Sequence, residues 1–192
     1  TLLSAFQNLS VVAVSLKKKG PPVERDIEAN VVFDLMIHDI DLLCTLLDGR
    51  PELVSAAGAG SEYATSTWSG DGVVASLTAS RITQERVRRL SVTAEECRVV
   101  VDLLDQTVEV HRRSRPEYVA SDGDVRHRIE SLVERPFVES GEPLKSELAA
   151  FLDAAANGTE PVVTAADGVR AVELAGRVSA IVEERETTEV SP

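Results

Sequence analysis

The segment "GVVASLTAS", Gly72 to Ser80, constrains the fold more than any other stretch. Val73, Ala75, Leu77 and Ala79 alternate with Val74, Ser76, Thr78 and Ser80. Successive side chains on a strand point to opposite faces, so this period places hydrocarbon on one side and mostly hydroxyls on the other. In "VRRLSVTAEE" the pattern returns, with Leu90 and Val92 between Arg89, Ser91 and Thr93. "ELVSAAGAGSEYATSTW", "CRVVVDLLD" and "QTVEVHRR" are further β-branched segments, parted by turn signals such as Ser69-Gly70-Asp71-Gly72 and Glu95-Glu96. Upstream, "LSVVAVSLKKKG" reads as one more strand, closed by Gly20-Pro21-Pro22. A sheet with one apolar face needs a cover on that face alone.

The cover is written in "VVFDLMIHDIDLL", Val31 to Leu43. Asp34, His38, Asp41, Thr45 and Asp48 are spaced four, three, four and three apart, which aligns them along a helix. Val, Phe, Leu, Met, Ile and Cys fill most of the remaining circumference. A surface helix has a broad polar face and an apolar stripe; here the proportions are reversed. The pattern predicts a helix wrapped by protein, wet along one narrow seam, capped by Asn30 and stopped at Asp48-Gly49-Arg50-Pro51.

Two more helices are predicted near the end. "PLKSELAAFLDAAANG" aligns Leu144, Leu148, Phe151, Leu152 and Ala155, and "TAADGVRAVELAGRVSAIVEERE" opens on Thr164 with Asp167 three residues on. Between the strands and these helices, "SRPEYVASDGDVRHRIESLVERPFVESGEP" reads as a long polar excursion, and 186–192 as a frayed tail. The expected architecture is one α+β domain over 1–192, a largely antiparallel open sheet with helices packed on one face.

The net charge of −12 excludes nucleic acid and anionic membrane surfaces as partners, because phosphate recognition needs a basic footprint. No apolar run reaches the ~18 residues of a membrane span. Cys44 and Cys97 lack metal spacing and read as buried reduced thiols of a cytoplasmic protein. The chain opens on Thr1 without a basic signal flank, so a fragment or excised domain is expected.

Asp34 and His38, four residues apart, can meet on the seam. A carboxylate beside an imidazole fixes its tautomer and favours its charged form. Such a pair suits general acid–base work near neutral pH. Spacing alone leaves open that the seam simply faces solvent. Lys17, Lys18, Lys19 and Arg25 concentrate positive charge just upstream in an acidic chain. They read either as a solvated strand end or as a grip on an anionic substrate such as a sugar nucleotide's diphosphate. No metal site is expected, since His111 and His127 lack ligand spacing and neighbouring helical residues such as His38 and Asp39 diverge by about 100°. Gly58-Ala59-Gly60 lacks the third glycine and the following helix of a dinucleotide loop; a bulge or tight packing explains it better.

Taken together, the strand ending in a basic Gly-Pro segment, the Asp-x-x-x-His-Asp-x-Asp-Leu-Leu helix and the meander resemble the C-terminal domain of the glucose–fructose oxidoreductase / inositol dehydrogenase family. "EPLKSELAAFLDAAANGTEPVVTAADGVRAVELA" is similar to that family's ending. Within the family, the chain looks most like the branch that oxidises sugar nucleotides, UDP-N-acetylglucosamine 3-dehydrogenases among them. The resemblance implies a dihydrodipicolinate-reductase- or glyceraldehyde-3-phosphate-dehydrogenase-like C-terminal domain. It also implies an N-terminal Rossmann domain, absent from this chain, that binds NAD or NADP. It makes His38 the group that relays the hydroxyl proton and Asp34 its orienting partner. Lys17, Lys18, Lys19, Arg25 and Asp41 become candidate substrate contacts, with no cofactor-binding residue in this chain. The open sheet face would carry a homo-oligomer, and the isolated chain would be inactive and bind NAD(H) very weakly. The alternative is a stand-alone assembly or ligand-binding module without catalysis.

Overall fold

A computed structural model of the chain describes residues 9–22, 28–47, 51–113, 117–121, 124–128 and 131–189. In chain order its elements are β1 (Val11–Lys19), a π-helical turn (Val32–Met36) running into α1 (Ile37–Leu46), β2 (Glu52–Ala59), β3 (Tyr63–Gly70), β4 (Val73–Ser80) and β5 (Val87–Ala94). There follow β6 (Cys97–Asp102), β7 (Thr107–Arg113), β8 (Glu117–Ser121), β9 (Asp124–Arg128), β10 (Ser131–Glu134), α2 (Pro143–Asn157) and α3 (Ala165–Glu189).

Eight strands form one sheet in the order β10-β7-β6-β5-β1-β4-β3-β2. Every pairing in it is antiparallel except that of β1 with β4. The parallel pair arises because α1 carries the chain from the central β1 to the edge at β2, and the meander β2–β3–β4 then folds back beside β1. The α+β reading holds, with that one addition. The segment read as a structureless excursion holds strands: β8 and β9 pair as a separate hairpin, and β10 joins the main sheet beside β7. Polar composition concealed these strands, because an edge strand and an isolated hairpin need no continuous apolar face.

Alternation in the sequence matches the two faces. Val73, Ala75, Leu77, Ala79, Leu90 and Val92 are buried under helices, while Val74, Ser76, Arg89 and Thr93 are exposed on the other side. The cover consists of α1 and α3, which pack on each other and on the sheet. Met36, Ile40 and Leu43 from the first helix meet Leu16, Leu77 and Trp68 in a single core. Trp68 is fully enclosed, and its indole N–H donates to Ser66 Oγ at 2.8 Å, which satisfies the one polar atom it buries.

Both predicted helix starts are present. Asn30 Oδ1 accepts from the backbone N–H groups of Val32 and Phe33 at 3.1 and 3.2 Å, and Asn30 Nδ2 donates to Ser179 on α3 at 2.7 Å. The cap therefore also ties the first helix to the last. At α3, Asp167 N–H donates to Thr164 Oγ1 at 3.2 Å while Thr164 N–H donates to Asp167 Oδ2 at 2.9 Å, a reciprocal capping box. Helix α2 ends on Gly158 in the left-handed region, φ 64°. Its predicted apolar row is uncovered: Leu144, Leu148, Phe151 and Leu152 are all exposed.

Gly58 shows why the glycine-containing segment is not a nucleotide loop. A Cβ there would lie 2.4 Å from Val182 Cγ1 and 2.9 Å from the Tyr63 carbonyl oxygen. The glycine lets α3 sit directly on the β2–β3 hairpin. Gly58→Ala should destabilise the chain by about 1–3 kcal/mol, because a backbone carbonyl cannot move aside as a side chain can. Adding Val182→Ala should recover part of that loss. Urea unfolding of the single and double variants measures both.

Candidate active site

The seam of the first helix opens where β1, β4 and β5 bring their ends together. His38 is exposed, Asp34 and Asp41 are half-buried and Thr45 is exposed. Asp48, the last residue of the predicted line, and Arg25 lie outside the described residues. The π-helical turn sets the entry to this seam: its wider i→i+5 bonds insert one extra residue before α1, a device often found at functional sites.

The predicted basic cluster divides between the two faces of the sheet. Lys18 shares the parity of Val14 and Leu16 and stands on the helix-covered face. Lys17 instead lines a shallow hollow of ≈ 470 Å³ on the open face, with Ser15, Ser76, Arg89 and Arg98. Lys19, of the same parity as Lys17, ends the strand opposite Val87 and Ser80. Lys18 is therefore the lysine that meets the seam.

Arg88 reaches the same place by the same logic. It sits directly opposite Lys18 in the β1/β5 ladder and has the parity of the buried Leu90 and Val92. Asp39 faces them from α1, only 7% exposed, and its Oδ2 has no hydrogen-bond partner. Burial pushes the Asp39 carboxyl up to about 6, although Lys18 and Arg88 pull the other way. Burial likewise lowers the Lys18 ammonium; Asp39 partly offsets this, Arg88 adds to it, and Asp34 opposes it weakly.

His38 feels this cluster. Its pKa is lowered, first by burial, then by Lys18 and Arg88, with Asp34 and Asp41 offsetting only part. The imidazole is therefore neutral at neutral pH. Asp34 favours the charged form, as expected of a neighbouring carboxylate, but partial desolvation and two cations outweigh it.

Asp34 is engaged elsewhere. Among the described residues no hydrogen bond joins it to His38; its Oδ2 accepts from Arg81 at 3.3 Å. Arg81 is 4% exposed, and its guanidinium is nearly saturated. It donates to the Ala29 carbonyl at 3.0 Å, the Ser61 carbonyl at 3.0 Å, and both Glu62 carboxylate oxygens at 3.1 and 2.8 Å. One residue thus locks the start of the first helix, the turn between β2 and β3, and the orientation of Asp34. The Glu62 carboxyl is held below its ordinary range chiefly by this hydrogen bonding.

Asp41 looks the other way along the seam. With Cys44, Thr45, Val162, Val163 and Arg170 it lines a hollow of ≈ 350 Å³ beside the N-terminus of α3. Its carboxyl is raised by burial and by Asp167, against Arg170 and His38. Among the described residues no group of three or more His, Cys, Asp or Glu is arranged to hold a metal, and no helix is long and apolar enough to cross a membrane.

Arg81, Arg88 and Asp39 were absent from the sequence-based candidates. For Arg88 and Asp39 a signal existed. Arg88 interrupts a buried parity, and Asp39 falls off the polar line into the hydrocarbon of its helix. Arg81 merely follows the last alternating residue of β4 and carries no such mark.

No family profile matches the chain. A UDP-N-acetylglucosamine 3-dehydrogenase of Acidithiobacillus ferrooxidans is 30% identical over 146 residues, covering 73% of this chain and 44% of that protein. A structure of the enzyme of that name from the same organism superposes with a TM-score of 0.81 and 25% identity, over 95% of this chain and 58% of its own. A 3-ketoreductase from Actinomadura kijaniata, in complex with TDP-benzene and NADP, shares the fold at 13% identity, with a TM-score of 0.72 over 94% of this chain and 56% of its own. The chain thus spans about half the length of the relatives it matches. Its structural neighbours are dehydrogenases of the glucose–fructose oxidoreductase / inositol dehydrogenase type, with the sugar-nucleotide branch among them, and it superposes on little more than half of each.

The sign of the Asp39 shift gives a stability test. A carboxyl raised from 3.8 to about 6 on folding holds its proton more tightly in the folded chain. Its contribution to stability is greatest below the unfolded value and is lost as pH rises through the folded one. Asp39→Asn, which mimics the protonated group, should therefore unfold at higher urea than wild type near pH 8, by about 1–3 kcal/mol. The difference should vanish below about pH 3, where the unfolded carboxyl is protonated as well.

Proposed function

We propose that this chain is the substrate-binding half of an NAD(P)-dependent dehydrogenase that oxidises a hydroxyl of a sugar or sugar nucleotide, in the manner of the dehydrogenases whose fold and motifs it shares. The observation that carries the reading is His38: an uncharged imidazole at the open edge of an otherwise enclosed helix, with Asp34, Lys18 and Arg88 around it. A neutral imidazole can accept a proton at neutral pH, which an imidazolium cannot.

Oxidising an alcohol to a ketone removes a hydride from carbon and a proton from oxygen. His38 takes the oxygen's proton as the carbonyl forms. Asp34, fixed by Arg81, orients the ring or the substrate hydroxyl beside it. Lys18 and Arg88 disfavour the imidazolium, so the ring stands ready in its uncharged, proton-accepting form. The Gly58-Ala59-Gly60 segment does not fit a dinucleotide: the Gly58 position is filled by Val182, and the turn after it leads into a strand. The chain's own part is therefore substrate and proton, and the nicotinamide site is assigned to the length that the relatives carry beyond it.

Joined to its upstream half, the chain should lose about 10²–10⁴-fold in kcat on His38→Ala. In the wild-type enzyme kcat/KM should fall on the acid side with an inflection below the ordinary histidine value of 6.5. Turnover that survives the substitution within a few-fold would remove His38 from this role.

We further propose that the open sheet face pairs two copies of the chain. The net charge of −12 opposes self-association over most of the surface, but this face carries the short side chains Ser15, Ser76, Ser91 and Thr93 around exposed Val74. Sedimentation should give a dimer or larger, and Val74→Arg should reduce it to the monomer mass.

A further inference from the structure

We propose that Lys18 and Arg88 form an anion subsite beside His38, and that the group they hold is the diphosphate of a nucleotide-linked sugar. The inference rests on reading the chain as a dehydrogenase's substrate half and adds which side chains recognise the nucleotide.

Lys18 and Arg88 are directly opposite each other in the β1/β5 ladder, on the face that α1 covers. Like charges in such a pair are destabilising. The neighbouring pair on the other face, Lys17 and Arg89, is relieved: Arg89 has Asp102 opposite it on β6, with an ion pair at 3.3 Å. Arg88 has no such relief. Across from it the chain turns away at Leu103, whose N–H donates to the Arg88 carbonyl at 2.9 Å. Among the described residues no carboxylate makes an ion pair with Lys18 or Arg88. In a chain with 32 acids against 20 lysines and arginines, two adjacent cations without a partner mark a place kept for an external one.

Asp39 supplies the second observation. It is a buried acid on the helix side of the pair, with one carboxylate oxygen left without a hydrogen bond. It can lower the local positive field but, carrying one charge at most, cannot neutralise two cations. The remaining charge suits a phosphoryl group, which an arginine fork and a lysine ammonium bind together. Position agrees with chemistry: in a nucleotide-linked hexose the phosphate lies about one sugar ring from the hydroxyl that is oxidised. Lys18 and Arg88 are the strongest charged influences on His38.

The test is calorimetric titration of this chain with uridine diphosphate, inorganic pyrophosphate, glucuronate and uridine. Uridine diphosphate and pyrophosphate should bind, and uridine should not. Arg88→Gln and Lys18→Met should each weaken uridine diphosphate by about tenfold, and Arg88→Lys should restore part of the loss. Lys145→Ala, which removes the same charge on α2, should change nothing. Arg88 is exposed, and Arg88→Gln relieves its repulsion with Lys18, so that variant should unfold at a midpoint no lower than wild type, which circular dichroism checks. The subsite is overturned if Arg88→Gln binds uridine diphosphate as wild type does, if the wild-type chain fails to bind it, or if glucuronate alone is bound. The two readings fail separately. A tenfold loss of uridine diphosphate on Arg88→Gln, with a turnover that ignores His38→Ala, keeps the subsite and removes the proton relay; the opposite pair of results does the reverse.

Discussion

Burial of one sheet face under one helix is the constraint from which the rest follows. Leu16, Leu77, Trp68, Met36, Ile40 and Leu43 are all withdrawn from water, and each contributes roughly 1.5–3 kcal/mol of transfer free energy. That burial requires α1 to lie with most of its circumference against protein. Its polar residues then have one exit, the seam, and the seam opens where the helix begins. Because the Asn30 cap is anchored to Ser179 and Ala29 is anchored to Arg81, the helix begins over the ends of β1, β4 and β5. Whatever the last covered residues of those strands carry is thereby brought to His38. The location of the site is a consequence of the packing.

This explains what could be read in advance. Alternation in "GVVASLTAS" and the reversed proportions of "VVFDLMIHDIDLL" gave sheet, cover and seam, because burial writes its period directly into residue types. The capping residues were legible for the same reason, since orphan N–H groups demand particular side chains. Lys17, Lys18 and Lys19 could not be separated by composition, yet parity separates them: Lys18 continues Val14 and Leu16, and its neighbours do not. The strands β8 to β10 escaped because no covered face imposes a pattern on them. The Asp34–Arg81 pair escaped for another reason. It joins residues 47 apart in sequence, and nothing local announces a long-range ion pair.

The charges around the seam fall into two kinds, and the difference carries functional information. Arg81 is enclosed and satisfied, with four partners for its donors, so it reads as an anchor that fixes two chain segments and one carboxylate. Asp39, Lys18 and Arg88 are the opposite. Their charges are near one another but poorly paired, one oxygen is orphaned, and the shift of Asp39 implies that its ionised form is held at a cost in stability. A hydrocarbon pair at positions 18 and 88 would continue the rows Val14–Leu16 and Leu90–Val92 without that cost. Local rules broken together, at the mouth of a seam, are the pattern expected where a sequence serves a ligand as well as a fold.

The same contrast orders two acids of the first helix, Asp34 and Asp39. Asp34 was the natural orienting partner for His38 by spacing, but its carboxylate is already committed to a fixed guanidinium, which sets its orientation. Asp39 is one residue past the histidine, points into the sheet, and is tuned by the cations it faces. A proton accepted by His38 would be repelled by Lys18 and Arg88 and attracted by Asp34 and Asp41. An anion seated on Lys18 and Arg88 would cancel the repulsion and raise the basicity of the ring. Substrate binding and proton acceptance are thus coupled through charge alone, and no movement of the backbone is needed to couple them.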